Sequence, residues 1–347
     1  MWRSLIAHLG FMRYKPKVII PLVKGVISKK VLKRMVLRTV DLAVTGDCHY
    51  RCEFCSAYTL YRKGGPYLSV PQIHRIWEEC RALGAMHVNL TGGEPLMRGV
   101  EELCVIIGQL FPSKYLVSLV TSGFSLTSEK IRKLKESGLD TLQLSIESLD
   151  PDVHDHLVGF KGSHGTIIES LRYAKEAKLN VCLNAVFYHD NSREIHRLID
   201  FCKKQKVFLV LNTASSEGKW AAQGHNRLQK KDIVLFERFL RAPYVRHDSS
   251  MNYSLKRECP GGKERIHITA YGDVLTCPLV QISYGNVLNE PLAGIYQRMN
   301  AVPLLKRSCS LCKHAFDEEY YQTMIQPCQD FQGRPVSCTE HPCIRSV

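Results

Sequence analysis

Cys48, Cys52 and Cys55 fall within one short segment, C-H-Y-R-C-E-F-C, directly after the apolar run Thr39–Thr45. Three thiolates on a tight loop can bind three irons of a [4Fe–4S] cluster and leave the fourth iron open. An open iron can take a small molecule through an amino and a carboxylate group. The spacing alone is also compatible with three incidental loop thiols or with a zinc site short of one ligand. Cysteine usage over the whole chain bears on the choice. Fourteen cysteines among 347 residues exceed incidental use, and half of them follow residue 258. A secreted disulfide protein is usually shorter and carries a signal peptide, so the chain reads as cytoplasmic, in a reducing setting, with thiolates holding metal. Cys80, Cys104, Cys182 and Cys202 stand singly in expected helices and a strand, and read as small buried hydrophobes.

The elements that must position the triplet alternate regularly. Runs rich in β-branched and apolar residues predict strands over 40–45, 87–91, 115–121, 141–147, 181–188 and 207–213. Helical patterns fall between them, over 70–83, 100–110, 128–137, 165–178 and 192–204. Thr127 is placed to cap one of these helices and Gly138 to end it. Six such β-α units predict a parallel sheet with helices outside it. In parallel barrels chemistry gathers at the loops that follow the strands, which is where the triplet lies.

Four successive strand ends then carry a resemblance. The C-x3-C-x2-C spacing, with Phe54 before the last cysteine, resembles the signature of the radical S-adenosylmethionine (radical SAM) superfamily. Gly92-Gly93-Glu94 ends the second strand; alone it is a common turn, but one β-α unit after the triplet it resembles that family's GGE motif. There the backbone and the glutamate contact the SAM methionine ammonium, a charge-assisted pair. Thr121-Ser122-Gly123 is similar to the family's T-N-G, and Ser145-Ile146-Glu147 to its S-x-D. The resemblance implies Ser145 on the SAM carboxylate and Glu147 on the ribose hydroxyls; the plain alternative for each is a polar residue capping the next turn. Val158 stands where relatives often have arginine, and His49 where asparagine is common after the first cysteine. Neither departure touches a cluster ligand. The implied fold is α/β, a partial (β/α)6 TIM-like barrel, and the implied activity is reductive SAM cleavage with hydrogen abstraction from a substrate C–H bond. A non-catalytic iron–sulfur carrier or sensor is the alternative, against which Gly92, Gly93 and Glu94 argue, since a carrier has no use for a SAM pocket.

The C-terminal part adds a second cysteine set. A helix is expected over 228–241, then a polar linker, then a hairpin over 265–277 turning at Tyr271-Gly272-Asp273 and delivering Cys277. The order Cys259, Gly272-x4-Cys277, Cys309-x2-Cys312 resembles the auxiliary-cluster domain called SPASM, or its shorter form Twitch. By that resemblance these four cysteines saturate one auxiliary [4Fe–4S] cluster. Cys328, Cys338 and Cys343 bring the count to seven and leave room for two auxiliary clusters, although fifteen residues separate Cys312 from Cys328, more than SPASM expects. A zinc ribbon is the structural alternative. The chain thus divides into a basic amphipathic extension (1–37), a radical SAM partial barrel (38–225) and a small cysteine-rich SPASM/Twitch-like domain (226–347).

The formal net charge of +14 is mainly a property of the extension, because residues 1–40 hold ten Lys and Arg and no acid. It is weak ground for a nucleic-acid-binding body. Trp2, Leu5, Ile6 and Leu9 have helical spacing, and so do Val31, Leu32, Met35 and Val36. The apolar run 18–27 contains Pro21 and Lys24 and is too short to span a bilayer. Such a segment predicts a peripheral contact with anionic lipid, packing on the barrel, or an organellar targeting segment. Three substrate classes follow: a peptide or protein, a lipid-like metabolite, and a soluble small molecule. The forty residues before the barrel look too short and too helical for the peptide-docking winged domain common in peptide-modifying relatives. An electron donor such as flavodoxin or ferredoxin is implied as a partner. No general acid, base or hydrogen donor emerges; Tyr320, Tyr321, Glu318, Glu319, His154 and His156 qualify by type only, with a solvated surface role as the default.

Overall fold

The computed structural model describes residues 15–60, 64–214, 220, 228–247, 253, 258–329, 331 and 335–344. Helix α1 (Ile19–Lys30) precedes strand β1 (Thr39–Thr45). Five β-α alternations follow: α2 (Val70–Ala82), β2 (His87–Gly92), α3 (Val100–Gln109), β3 (Leu116–Thr121), α4 (Ser128–Glu136), β4 (Thr141–Ser145), then α5 (Pro151–Val158) and α6 (Ser163–Glu176), β5 (Asn180–Phe187), α7 (Ser192–Gln205) and β6 (Phe208–Thr213). The C-terminal part contributes α8 (Lys230–Phe239), β7 (Val245–Arg246), β8 (Arg265–Ile268), β9 (Val274–Leu275), β10 (Ile282–Ser283), α9 (Leu292–Ala301) and β11 (Val336–Ser337).

The main sheet runs β7-β6-β5-β4-β3-β2-β1-β8-β9, parallel throughout except for the β8–β9 hairpin. The helices bury one stripe each. In α7 the buried residues are Ile195, Leu198, Ile199 and Cys202, the i, i+3, i+4, i+7 pattern of a helix laid on a sheet. Thr127 Oγ1 accepts from Lys130 N at the start of α4, and Gly138 after its end has φ +108°, as expected of that pair. In β4 and β6 half-buried and buried positions alternate. The outward residues are covered by helices, while the inward ones, such as Gln143 and Asn212, line a cavity.

The structure departs from the sequence reading in four places. The helix of the extension is Ile19–Lys30, before the residues Val31, Leu32, Met35 and Val36 whose spacing predicted one; residues 33–38 are irregular. Pro21 lies in the first helical turn, where its missing N–H costs nothing. Residues 1–14, with Trp2, Leu5, Ile6 and Leu9, lie outside the described residues. Helix α5 is additional. Asp150 caps it, accepting from Asp152 N and Val153 N, and Gly159 ends it at φ +61°. Thirdly, the expected hairpin forms but is not confined to a separate domain. β8 pairs in parallel with β1, from Thr39↔Arg265 to Leu42↔Ile268, and one continuous apolar core runs from Leu37 to Ile344. The expected boundary near 225 falls outside the described residues. Finally, His154 and Tyr320 are buried rather than solvated; His156, Glu318 and Glu319 are exposed.

Candidate functional site

The cysteine triplet is held from two sides. Arg51 N donates to Val158 O and Glu53 N to Leu157 O, so the last turn of α5 pins the loop. On the other side Gly93 N donates to Thr45 O and Glu94 N to Asp47 O. A Cβ on Gly92 would stand 2.3 Å from Thr45 O, and one on Gly93 2.2 Å from Asp47 O. The glycine pair admits the chain's own backbone, which seats the segment leading into Cys48.

The three thiols are partly buried and sense one another. Burial pushes Cys48 up to about 11, with smaller contributions from Glu94 and Cys55. Cys52 is raised further, first by burial and then by Cys55 and Cys48. Free, Cys48 and Cys52 would be protonated; metal binding deprotonates such thiols. Among the described residues no three His, Cys, Asp or Glu side chains converge as they would around one metal ion. Thiolates on one loop can each serve a different iron of one cluster.

Glu94 is 1% exposed and its carboxylate is fully engaged. Oε1 accepts from Leu96 N and Thr121 Oγ1, and Oε2 from both Ser122 N and Ser122 Oγ. No ion pair to Glu94 forms among the described residues, and burial raises its pKa. A ligand ammonium would supply the missing positive charge. Ser122 therefore acts on Glu94. Ser145 ends β4 half-buried, opposite Asn184. Glu147 is buried; Oε2 accepts from Val186 N at 2.9 Å, and its own N donates to His154 Nδ1 at 3.1 Å. His154 thus fixes this strand end, a role that residue type alone did not reveal. Phe54 faces the cavity, its ring 6.2 Å from that of Trp220.

Burial pushes Glu147 up to about 8 from 4.5, so the ligand-free protein keeps it protonated at neutral pH. The folded state then holds this proton more tightly than the unfolded chain. Its contribution to stability falls as pH rises from 4.5 to about 8 and levels off above. Glu147→Gln should remove that part of the slope, at most about 1.4 kcal/mol per pH unit. Melting of the SAM-free protein across this window measures it; identical pH profiles for both proteins would contradict the buried acid.

A cavity of about 1180 Å³ opens beside the triplet. Cys55 and Gly92 belong to its wall, and so do Cys259, Cys277 and Cys312. Cys259 N donates to Cys309 O at 2.8 Å. Burial, and then Cys259, pushes Cys277 up to about 12; Cys312 is raised by burial, Cys259 and Cys277, and Cys309 mainly by burial with a smaller part from Cys259. These four cysteines form one electrostatic group. Cys328 and Cys338 are buried beside Tyr284, and Cys343 is exposed; none of the three lines the cavity. Cys328 Sγ lies 3.4 Å from Met324 O.

The sequence matches the model of the radical SAM superfamily over residues 42–202, and that of an iron–sulfur cluster-binding domain, SPASM, over 259–317. Residues 42–202 are thus a radical SAM domain. It is 26% identical over 331 residues to the PqqA peptide cyclase of Rhizobium meliloti (strain 1021), covering 87% of this chain and 86% of that one. Its fold is similar to that of Streptococcus suis SuiB bound to precursor peptide SuiA, with a TM-score of 0.59 at 17% identity, over 79% of this chain and 67% of SuiB. It is also similar to anSMEcpe with bound AdoMet, with a TM-score of 0.58 at 16% identity, over 83% and 88% of the two chains. The protein is thus a radical SAM enzyme with an auxiliary iron–sulfur domain, and the partial-barrel expectation holds. When bound, the SAM-facing [4Fe–4S] cluster supplies the electron that cleaves SAM, giving methionine and the 5′-deoxyadenosyl radical that abstracts substrate hydrogen.

The polar inward residues of the barrel strands, Asp41, Asn89, Gln143 and Asn184, were not singled out from sequence. Their signal was available: polar side chains at alternate positions of strands otherwise buried on both faces.

Proposed function

We propose that this enzyme modifies a peptide or protein substrate lying between two sets of thiolates. The observation that carries the reading is the continuous cavity whose wall includes Cys55 of the first set and Cys259, Cys277 and Cys312 of the second. A carbon placed there lies beside both centres. Similarity to a peptide cyclase over most of the chain supports a peptide above a lipid-like or soluble metabolite.

In this reading Cys48, Cys52 and Cys55 hold the SAM-facing cluster, with Phe54 beside it. Glu94 takes the methionine ammonium, Gly92, Gly93 and Ser122 build its seat, Ser145 meets the carboxylate, and Glu147 meets the ribose. Cys259, Cys277, Cys309 and Cys312 hold one auxiliary cluster, and Cys328, Cys338 and Cys343 stay thiols. A flavodoxin or ferredoxin delivers the electron. The test uses anaerobically reconstituted full-length protein, SAM and reductant, with the short peptides encoded beside its gene. A peptide should raise 5′-deoxyadenosine formation and itself lose hydrogen by mass. Stimulation by lipid extracts or soluble metabolites but by no peptide would move the substrate to another class.

The extension carries a second surface. Ile20 is 67% and Val31 69% exposed, and Ile19, Val23, Ile27, Leu32 and Met35 are exposed around them. Lys24, Lys30, Lys33 and Arg34 lie in the same segment. Gly25 faces the Tyr253 ring so closely that a Cβ there would stand 2.1 Å from it, which leaves the apolar face turned outward. Among the described residues no helix is long and apolar enough to cross a membrane. An apolar face flanked by bases fits the interface of an anionic membrane. Flotation should occur with phosphatidylserine-containing vesicles, and Ile20→Glu with Val31→Glu should abolish it. Equal recovery of both proteins would dismiss the lipid contact.

A further inference from the structure

The cavity wall carries a belt of polar side chains that no part of SAM binding uses. Asn89 Nδ2 donates to Asp41 Oδ1 at 2.8 Å, Gln143 Nε2 to Asn89 Oδ1 at 3.3 Å, and Asn184 Nδ2 to Gln143 Oε1 at 3.3 Å. These residues come from β1, β2, β4 and β5. At the other end Arg265 on β8 grips Asp41 with two donors, Nε to Oδ2 and Nη2 to Oδ1. His267, two residues further along β8, is in register with Asp41 and faces the same cavity.

The belt does not satisfy itself. His267 is 0% exposed, yet among the described residues neither ring nitrogen has a hydrogen-bond partner. Asn184 Oδ1 is likewise buried without one. Buried polar atoms nearly always have partners, so these call for one from outside the chain. The vacant positions define it. Asn184 Oδ1 needs an N–H. A neutral imidazole offers one N–H and one acceptor nitrogen. Burial pushes His267 down to about 4, which keeps the ring neutral near pH 7. The only full charges in the belt, Asp41 and Arg265, are committed to each other. Within the belt nothing is left to pair with a carboxylate or an ammonium; Arg38, Lys178 and Arg246 line the same cavity outside it.

We infer that this belt binds an uncharged amide group of the substrate, either a peptide unit or a carboxamide side chain, with His267 and Asn184 as its contacts. The inference deepens the peptide reading above and rests on it for what carries the amide. Asp41 lies four residues before Thr45, which pairs with Gly92. At about 3.3 Å per residue the Asp41–His267 end of the belt is roughly 13 Å from the level of the SAM-facing motifs, while Asn184, in register with Ser145, stands at that level. A contact at the His267 end selects and anchors substrate rather than taking part in hydrogen abstraction.

The test is NMR of the reconstituted full-length protein carrying ¹³C,¹⁵N-histidine, with the His267 signals identified by their absence in His267→Gln. N-acetylglycinamide, sodium acetate and methylammonium chloride are titrated separately. N-acetylglycinamide alone should shift the His267 signals saturably, and Asn184→Leu should weaken it about tenfold. Shifts from acetate or methylammonium of equal size would overturn the inference, because the site would then take charge. No shift from any probe would overturn it too, leaving water as the partner. Should His267→Gln not fold, Asn184→Leu identifies the responsive signal by its weakened titration. If the amide binds and no peptide is ever modified, the peptide reading falls and the amide site stands; peptide turnover without an amide shift removes the site alone.

Discussion

Cys52→Ala should reduce 5′-deoxyadenosine formation to background and remove roughly four iron atoms per chain. Cys52 is the middle donor of the triplet, and its thiol is raised by burial and by both neighbours. That is the state expected of a donor waiting to be deprotonated by metal. With two thiolates left, one further iron loses its protein ligand. The loop itself should stay in place, because Arg51 N and Glu53 N, on either side of residue 52, remain bonded to the end of α5. The comparison that isolates the effect is Cys259→Ala. It should lose a similar amount of iron while SAM cleavage continues, since its group lies across the cavity. Iron analysis and low-temperature EPR with and without SAM separate the two. Full iron content and turnover in Cys52→Ala would remove the triplet from the chemistry.

The strands and the motifs at their ends were legible because both are local. Val40–Thr45 and Leu142–Leu144 declare themselves by composition, and Gly92-Gly93-Glu94 gains meaning only from its place one unit after the cysteines. What stayed hidden depends on contacts distant in sequence or on unusual composition. Helix α5 holds two His and two Asp in eight residues and has little apolar periodicity; only Asp150-Pro151, a cap followed by proline, marked its start. The pairing of β8 with β1 joins residues more than two hundred apart, and nothing in Arg265–Ile268 names its partner. The same pairing brings Arg265 to Asp41 and His267 into the cavity. His154 looked like a surface histidine because it lies between two acids, Val153 aside, yet its ring is buried between Glu147 N and Ser163 Oγ. The belt was overlooked for a similar reason. Asn89 and Gln143 each look like a polar interruption in a strand until the sheet curves and places them on one inner wall.

Glu94→Gln should weaken SAM binding by roughly 100-fold, the effect expected when one partner of a buried charge pair is lost. The glutamine keeps the shape and one acceptor oxygen, so Leu96 N and Thr121 Oγ1 can still be satisfied. On the other oxygen's side an NH2 group would meet Ser122 N, a donor facing a donor, while the Ser122 hydroxyl can turn to accept. That mismatch costs about 1–3 kcal/mol of fold stability and should appear as a lower melting temperature without SAM. The loss in SAM affinity has a different origin, the absence of a negative charge for the ammonium. The two are separable by ligand. Methylthioadenosine keeps the adenosine and sulfur but has no amino acid portion, so its affinity should change little in Glu94→Gln. An equal loss for both ligands would mean that the substitution acts by disturbing Thr121, Ser122 and the cysteine loop. A loss confined to SAM would place the ammonium at Glu94, the one buried carboxylate at these strand ends that four protein donors hold ready for a cation.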